Sequence, residues 1–373
     1  MANELETQAA RLFSVGFHGK TLSDDLSRLL ARGVGGVIFF SRNVGEPREV
    51  ADATSRIKRA AGRPLLLALD QEGGQVARLR NGFTELPPMR AVGATGDVGL
   101  AHEVGALLGR EVQAVGFDMN YAPVLDVDTN PQNPVIAARS FGRTPELVSA
   151  MGVAFAAGLD SVGVAACGKH FPGHGDTSQD SHSELPRLPH SLARLEQVEL
   201  KPFAAAVRAG IPSLMTAHVI FEPLDALYPA TMSRAVLHGL LREKLGYDGL
   251  VVSDDLEMRA IAGHYGSAET VVRGLNAGLD HFLCCHTAAL AHEAIEHVIH
   301  AVESGEVSRD TLANANRRLE SVTRRYARAP LPSEVDLGVL RSDAHLAVVE
   351  RILRSAPDEL SANDVDPTHF RRP

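Results

Sequence analysis

Eight short apolar runs, separated by amphipathic helical stretches, constrain this 373-residue chain more than any single motif does. The runs are LFSVGF (12–17), GGVIFF (35–40), PLLLALD (64–70), MNYAPVLDV (119–127), GVAACGKHF (163–171), SLMTAHVIF (213–221), GLVVSDD (249–255) and DHFLCC (280–285). Each has about the length of a strand. Most are nearly continuous in apolar residues, as expected for parallel strands covered on both faces. Helical spacing of apolar residues marks TLSDDLSRLLARG before the second run and TPELVSAMGVAFAAGLDSVG before the fifth. SLARLEQVELKPFAAAVRAG precedes the sixth and SAETVVRGLNAG the eighth. Several of these stretches end in Gly, the common residue just past a helix C-terminus. Strand–helix alternation repeated eight times predicts an α/β chain folded as a (β/α)8 TIM-type barrel. An open doubly wound sheet is the competing architecture, weakened because no G-x-G-x-x-G follows the first strand.

After the eighth run, AALAHEAIEHVIHAVESG and SRDTLANANRRLESVTRRYAR supply two helices that can close a barrel. Pro330 and Pro332 then punctuate the chain, and 342–356 reads as one more helix. A catalytic barrel over 1–330 is therefore expected, with a C-terminal extension over 331–373 made of one helix and a frayed tail. Hydrophobic residues form 45% of the chain, enough for a sizeable core. The formal charge of −9 offers no electrostatic footprint for nucleic acid or an anionic membrane. Three cysteines, Cys167, Cys284 and Cys285, make no disulfide framework and fit a reducing compartment. With no signal peptide and no long apolar span evident, a cytoplasmic location is expected.

In such a barrel the C-terminal ends of the strands line the active site. The unusual polar residues fall there: Asp70 ahead of Gln71-Glu72-Gly73-Gly74, Asp126 with Asp128, Lys169 with His170, His218, and Asp254 with Asp255. Charged groups at several strand ends imply a polar cavity at one mouth, because isolated buried charges cost too much. The stretch KHFPGHGDTSQDSHSELP (169–186) is too rich in Gly, Pro and Ser for a helix, yet it holds His170, His174 and His182. As a metal site, its spacing matches no standard zinc pattern. HEAIEH (292–297) has one residue too many for H-E-x-x-H and reads as a solvated helix face. As an acid/base loop, Asp180-Ser181-His182 can set a carboxylate against an imidazole that titrates near neutrality. Asp254 at a strand tip can serve as a fixed carboxylate nucleophile. Its neighbour Asp255 is expected to point the other way, since side chains alternate along a strand.

KHFPGHGDTSQDSH, ALDQEGGQVARL (68–79), NPVIAARSFG (133–142), MTAHVIF (215–221) and VVSDDLEM (251–258) resemble glycoside hydrolase family 3, nearest its bacterial β-N-acetylglucosaminidase (NagZ-like) subgroup. The resemblance spans about residues 10 to 330, in matching order. It implies a retaining exo-β-N-acetylglucosaminidase in which Asp254 is the nucleophile and His182, paired with Asp180, is the acid/base. It also implies that Asp70, Arg78, Arg139, Lys169 and His170 hold the sugar, with His174 as structural support. No metal or other cofactor is implied, and the implied partner is a small N-acetylglucosamine-containing muropeptide of cell-wall recycling; the sequence does not give the oligomeric state, with a monomer favoured. Cys284-Cys285 departs from the Met-Pro frequent in relatives, which leaves one wall of the pocket open. Alternatives are a family 3 phosphorylase, a metal-dependent barrel hydrolase and a non-catalytic sugar-binding protein.

Overall fold

All eight apolar runs contribute a strand to one closed barrel in the computed structural model, which describes residues 4–178 and 185–355. The strands are β1 (Phe13–Val15), β2 (Gly36–Phe39), β3 (Leu66–Leu69), β4 (Met119–Asn120), β5 (Ala165–Phe171), β6 (Ser213–Thr216), β7 (Leu250–Asp255) and β8 (His281–Cys284). Neighbours in sequence are neighbours in space, every pair is parallel, and β8 closes on β1. The apolar runs are continuous because both strand faces are buried. On β3, Leu66 and Ala68 point into the barrel, while Leu67 and Leu69 pack outward under the helices. Met119, Ala165, Cys167, Met215, Leu250, Val252 and Leu283 share the interior. Leu319, Val322 and Tyr326 of the helix Arg309–Tyr326 also join this interior core.

Local chemistry sets the element ends. Ser23 accepts from the Leu26 N–H at 3.2 Å and starts the helix Asp24–Arg32, and Gly33 ends it at φ 104°. Two runs, the fourth and the sixth, give strands less than half their own length. In the fourth, Pro123 brings no N–H to the ladder, so regular pairing stops at Asn120. The sixth divides, because Ile220–Phe221 leaves the barrel to pair with Arg187–Leu188. The stretch before β6 forms two helices, Leu192–Gln197 and Leu200–Arg208, rather than one. Pro202 explains the break: inside a continuous helix it would lack an N–H and clash with the preceding turn, whereas in the first turn of a new helix neither matters.

The helix expected over 342–356 is present as Asp343–Ser355. It packs against the helices Met89–Ala94 and Val98–Ala114, with Val348 and Ile352 buried and His345 Nδ1 2.9 Å from Glu111 Oε1. Among the described residues no helix is long and apolar enough to cross a membrane.

Candidate active site

The C-terminal ends of the strands enclose a cavity of about 680 Å³. Asp70, Arg78, Arg139, Lys169, His170 and Asp254 all line it, so the structure brings these sequence-predicted residues together. Asp180 and His182 lie outside the described residues.

One side of the cavity is a clamp of alternating charge. Asp70, just past β3, accepts from Lys169 Nζ at 2.7 Å and from Arg78 Nη2 at 3.1 Å. Behind it, Glu72 takes a two-pronged contact from Arg139, at 2.9 and 2.8 Å, and lies 2.6 Å from Lys169 Nζ. All five side chains are largely withdrawn from water. Burial alone would raise the two carboxyls, but the adjacent cations overcome it: Glu72 is held down at about 2, and Asp70 also lies well below its ordinary value. The same pairing raises Lys169 and Arg139 against the lowering effect of burial. The clamp therefore stays fully ionised near neutrality.

A second buried node, Asp126, ties the start of the histidine-rich loop to the barrel. It accepts the His170 N–H at 3.2 Å and the His174 N–H at 2.7 Å, and its Oδ2 lies 2.7 Å from His170 Nδ1. Burial opposes its charge, yet the neighbouring imidazoles and N–H donors keep its carboxyl low. His174 is pushed to about 4 by burial and by nearby His170, so it is neutral, and its Nδ1 sits 2.8 Å from Thr177 Oγ1. His218 is also lowered by burial; its ring joins Thr231 Oγ1 at 2.8 Å and the Asp255 carbonyl at 2.9 Å.

Strand irregularities present consecutive side chains to the same cavity. Pairing of β5 with β6 shifts between Gly168 and Phe171, and both Lys169 and His170 face the mouth. Pairing of β7 with β8 shifts between Val252 and Asp255, and both Asp254 and Asp255 line the cavity. The expectation that Asp255 would point away is thus corrected: strict alternation fails where the register slips. Asp255 N–H donates to Asp254 Oδ1 at 2.8 Å.

The opposite side was not legible as a motif. Phe40 and Arg42 follow β2, Glu257 follows β7, and His286 follows β8. Arg42 lies 4.5 Å over the Phe40 ring, and donates to the Phe17 carbonyl at 2.9 Å and to the Cys285 carbonyl. Cys284 packs outward and Cys285 faces the cavity; both thiols are free, and burial holds them well above their ordinary range. Among the described residues no group of three or more His, Cys, Asp and Glu could hold a metal ion. His292 lies 3.0 Å from Arg32 of the helix Asp24–Arg32, and His297 lies 3.1 Å from Glu293 of its own helix.

Comparison with known proteins places this geometry. Residues 4–322 match the Glycosyl hydrolase family 3 N terminal domain. A β-hexosaminidase of Thiobacillus denitrificans is 38% identical over 354 residues, covering 93% of this chain and 94% of that protein. A family 3 β-N-acetylglucosaminidase from Paenibacillus sp. str. FPU-7 superimposes with a TM-score of 0.91 at 42% identity, over 95% of this chain and 69% of that one. NagZ from Neisseria gonorrhoeae, solved with N-trifluoroacetyl-D-glucosamine, gives a TM-score of 0.77 at 31% identity, over 93% of this chain and 98% of that one. The chain is a glycoside hydrolase and belongs to glycosyl hydrolase family 3.

Proposed function

We propose that this β-hexosaminidase-type family 3 hydrolase removes terminal β-linked N-acetylglucosamine with retention of configuration, from muropeptide fragments in cytoplasmic cell-wall recycling. Asp254 attacks the anomeric carbon while His182, oriented by Asp180, protonates the leaving oxygen. Water deprotonated by His182 then releases the sugar from the covalent intermediate. Asp70, Arg78, Arg139, Lys169 and His170 hold the sugar hydroxyls and the N-acetyl group. Residues 1–330 form the catalytic unit, and the remainder is an extension of it.

The observation that supports this reading most is the protonation pattern around the cavity. Asp70, Glu72 and Asp126 are all held ionised by their partners, so none has a proton to give near neutrality. Burial lowers His174 and His218, which suits them to accept or relay hydrogen bonds rather than to carry a proton. The family resemblance then points to His182, an imidazole on the loop that leaves Lys169, as the donor. The relatives whose names specify β-N-acetylglucosaminidase activity support the choice of sugar.

The test is hydrolysis of an aryl β-N-acetylglucosaminide beside the matching β-glucoside, with and without phosphate and chelator, with proton NMR reading the first-formed anomer. The expected result is selective cleavage of the N-acetyl substrate, β-anomer first, insensitive to both additives. An α-anomer first excludes retention. Sugar 1-phosphate would move the reaction to phosphorolysis, and loss on chelation would move it to metal catalysis.

A further inference from the structure

His286 stands at the end of β8 and bridges two charged groups. Its Nδ1 lies 3.2 Å from Arg42 Nη1, and its Nε2 lies 3.2 Å from Asp255 Oδ2. A guanidinium only donates, so Nδ1 must accept. The ring proton then sits on Nε2, the nitrogen that faces Asp255 Oδ2. This fixes one tautomer of a neutral imidazole.

The bonds continue in one direction. Asp255 Oδ1 accepts from the Glu257 N–H at 3.1 Å and the Cys285 N–H at 3.2 Å, while the Asp255 N–H donates to Asp254 Oδ1 at 2.8 Å. The His286 backbone is held as well: its N–H donates to Glu257 Oε1 at 2.6 Å, and its carbonyl lies 3.0 Å from His18 Nε2. The carboxylate next to Asp254 is thus held by backbone N–H groups from two loops, and its other oxygen faces a side chain with a dictated tautomer. We propose that His286 is a positioning residue: as the Nε2–H tautomer it links Arg42 to Asp255 and fixes the tip of β7 that presents Asp254. This rests on Asp254 acting as the nucleophile.

Packing is the competing role, because the His286 ring also lies 5.4 Å from the Phe40 ring. His286→Phe keeps a ring there and removes both nitrogens, whereas His286→Gln keeps a donor that can reach Asp255. Both variants are assayed on an aryl β-N-acetylglucosaminide, with folding checked by circular dichroism. The expected result is a kcat loss of about tenfold in His286→Phe with KM little changed, and partial recovery in His286→Gln. His286→Phe as active as the wild type, or more active than His286→Gln, would overturn the positioning role. The wild-type tautomer is measured separately by 15N NMR of histidine-labelled protein, assigned by the signal lost in His286→Gln. Protonation at Nε2 alone is expected; an Nδ1–H or doubly protonated ring at neutral pH overturns the proposal even if His286→Phe does not fold. A wild-type protein that cleaves no N-acetylglucosaminide would instead sink the proposed reaction, and would leave the tautomer result standing.

Discussion

The two sides of the cavity achieve order by different means. The side built from β3, β4 and β5 with the residues that follow them uses Asp70, Glu72, Arg78, Arg139 and Lys169, a buried charge lattice in which each ion neutralises another. The side built from the ends of β2, β7 and β8 relies on backbone partners: Arg42 on carbonyls, Glu257 on the N–H groups of His286 and Thr287, Asp255 on those of Glu257 and Cys285. The first arrangement fixes charge state, and breaking any pair strands an ion in a poorly solvated place. The second fixes direction, and its groups remain closer to water. The proposed reaction has use for both: a rigid polar surface to read hydroxyls, and an aimed carboxylate to react.

Changes on either side should therefore differ in kind. The largest effect is expected at the aimed carboxylate. Asp254→Asn should lower kcat at least about a thousandfold with the fold retained, since a neutral amide neither attacks nor stabilises the cationic centre. Near-wild-type turnover would remove Asp254 from the mechanism. Next, His182→Ala should abolish most turnover of a natural sugar leaving group but slow the first step with a nitrophenolate much less. Azide should then rescue turnover with a β-azide product; equal damage to both leaving groups without rescue would refute the acid/base role.

On the clamp, Arg139→Met should destabilise the fold by about 3–5 kcal/mol, because Glu72 loses its two-pronged partner while still buried. Arg42→Met should cost less in the same urea titrations, since no carboxylate hydrogen-bonded to it is stranded. Equal losses would erase the distinction between the two sides. The smallest effect concerns acid. Glu72 is held at about 2 in the folded protein against an ordinary 4.5, so its contribution is complete above 4.5 and drains away as pH falls toward 2. Asp70 and Asp126 act with the same sign. Urea titrations down that range should show stability falling in the wild type, and falling less steeply in Arg139→Met.

The barrel was legible because its strands are buried twice over, and that leaves an unbroken apolar signature. Placing polar residues at strand ends also located Asp70, Lys169, His170 and Asp254 with no contact information. What could not be read was pairing. Arg139 meets Glu72 across 67 positions of chain, and Arg42 meets the Cys285 carbonyl across 243, so only the closed barrel brings them together. Nor could the slips in register be read: GLVVSDD gives no sign that Asp254 and Asp255 share a face, because the extra residue it carries shows only once the run is paired with β8. His286 belongs to no motif, and its role comes from what surrounds it.

The stapling of the histidine-rich loop has a consequence best put as a leash. Asn133 Nδ2 holds the His174 carbonyl at 2.8 Å and Thr177 Oγ1 at 3.2 Å, while Gly175 lies so close to Val127 that any Cβ would strike its carbonyl oxygen. On the return side, the Pro186 carbonyl is fastened by the Ile220 N–H at 2.9 Å. His182 is thus five residues from one anchor and four from the other, and a fully extended chain gives it a radius of roughly 17 Å from the first and 14 Å from the second. By chain length alone, the overlap of those two spheres bounds the Cα of residue 182. Glycines inserted in either arm would enlarge that bound without altering a single group of the charged clamp.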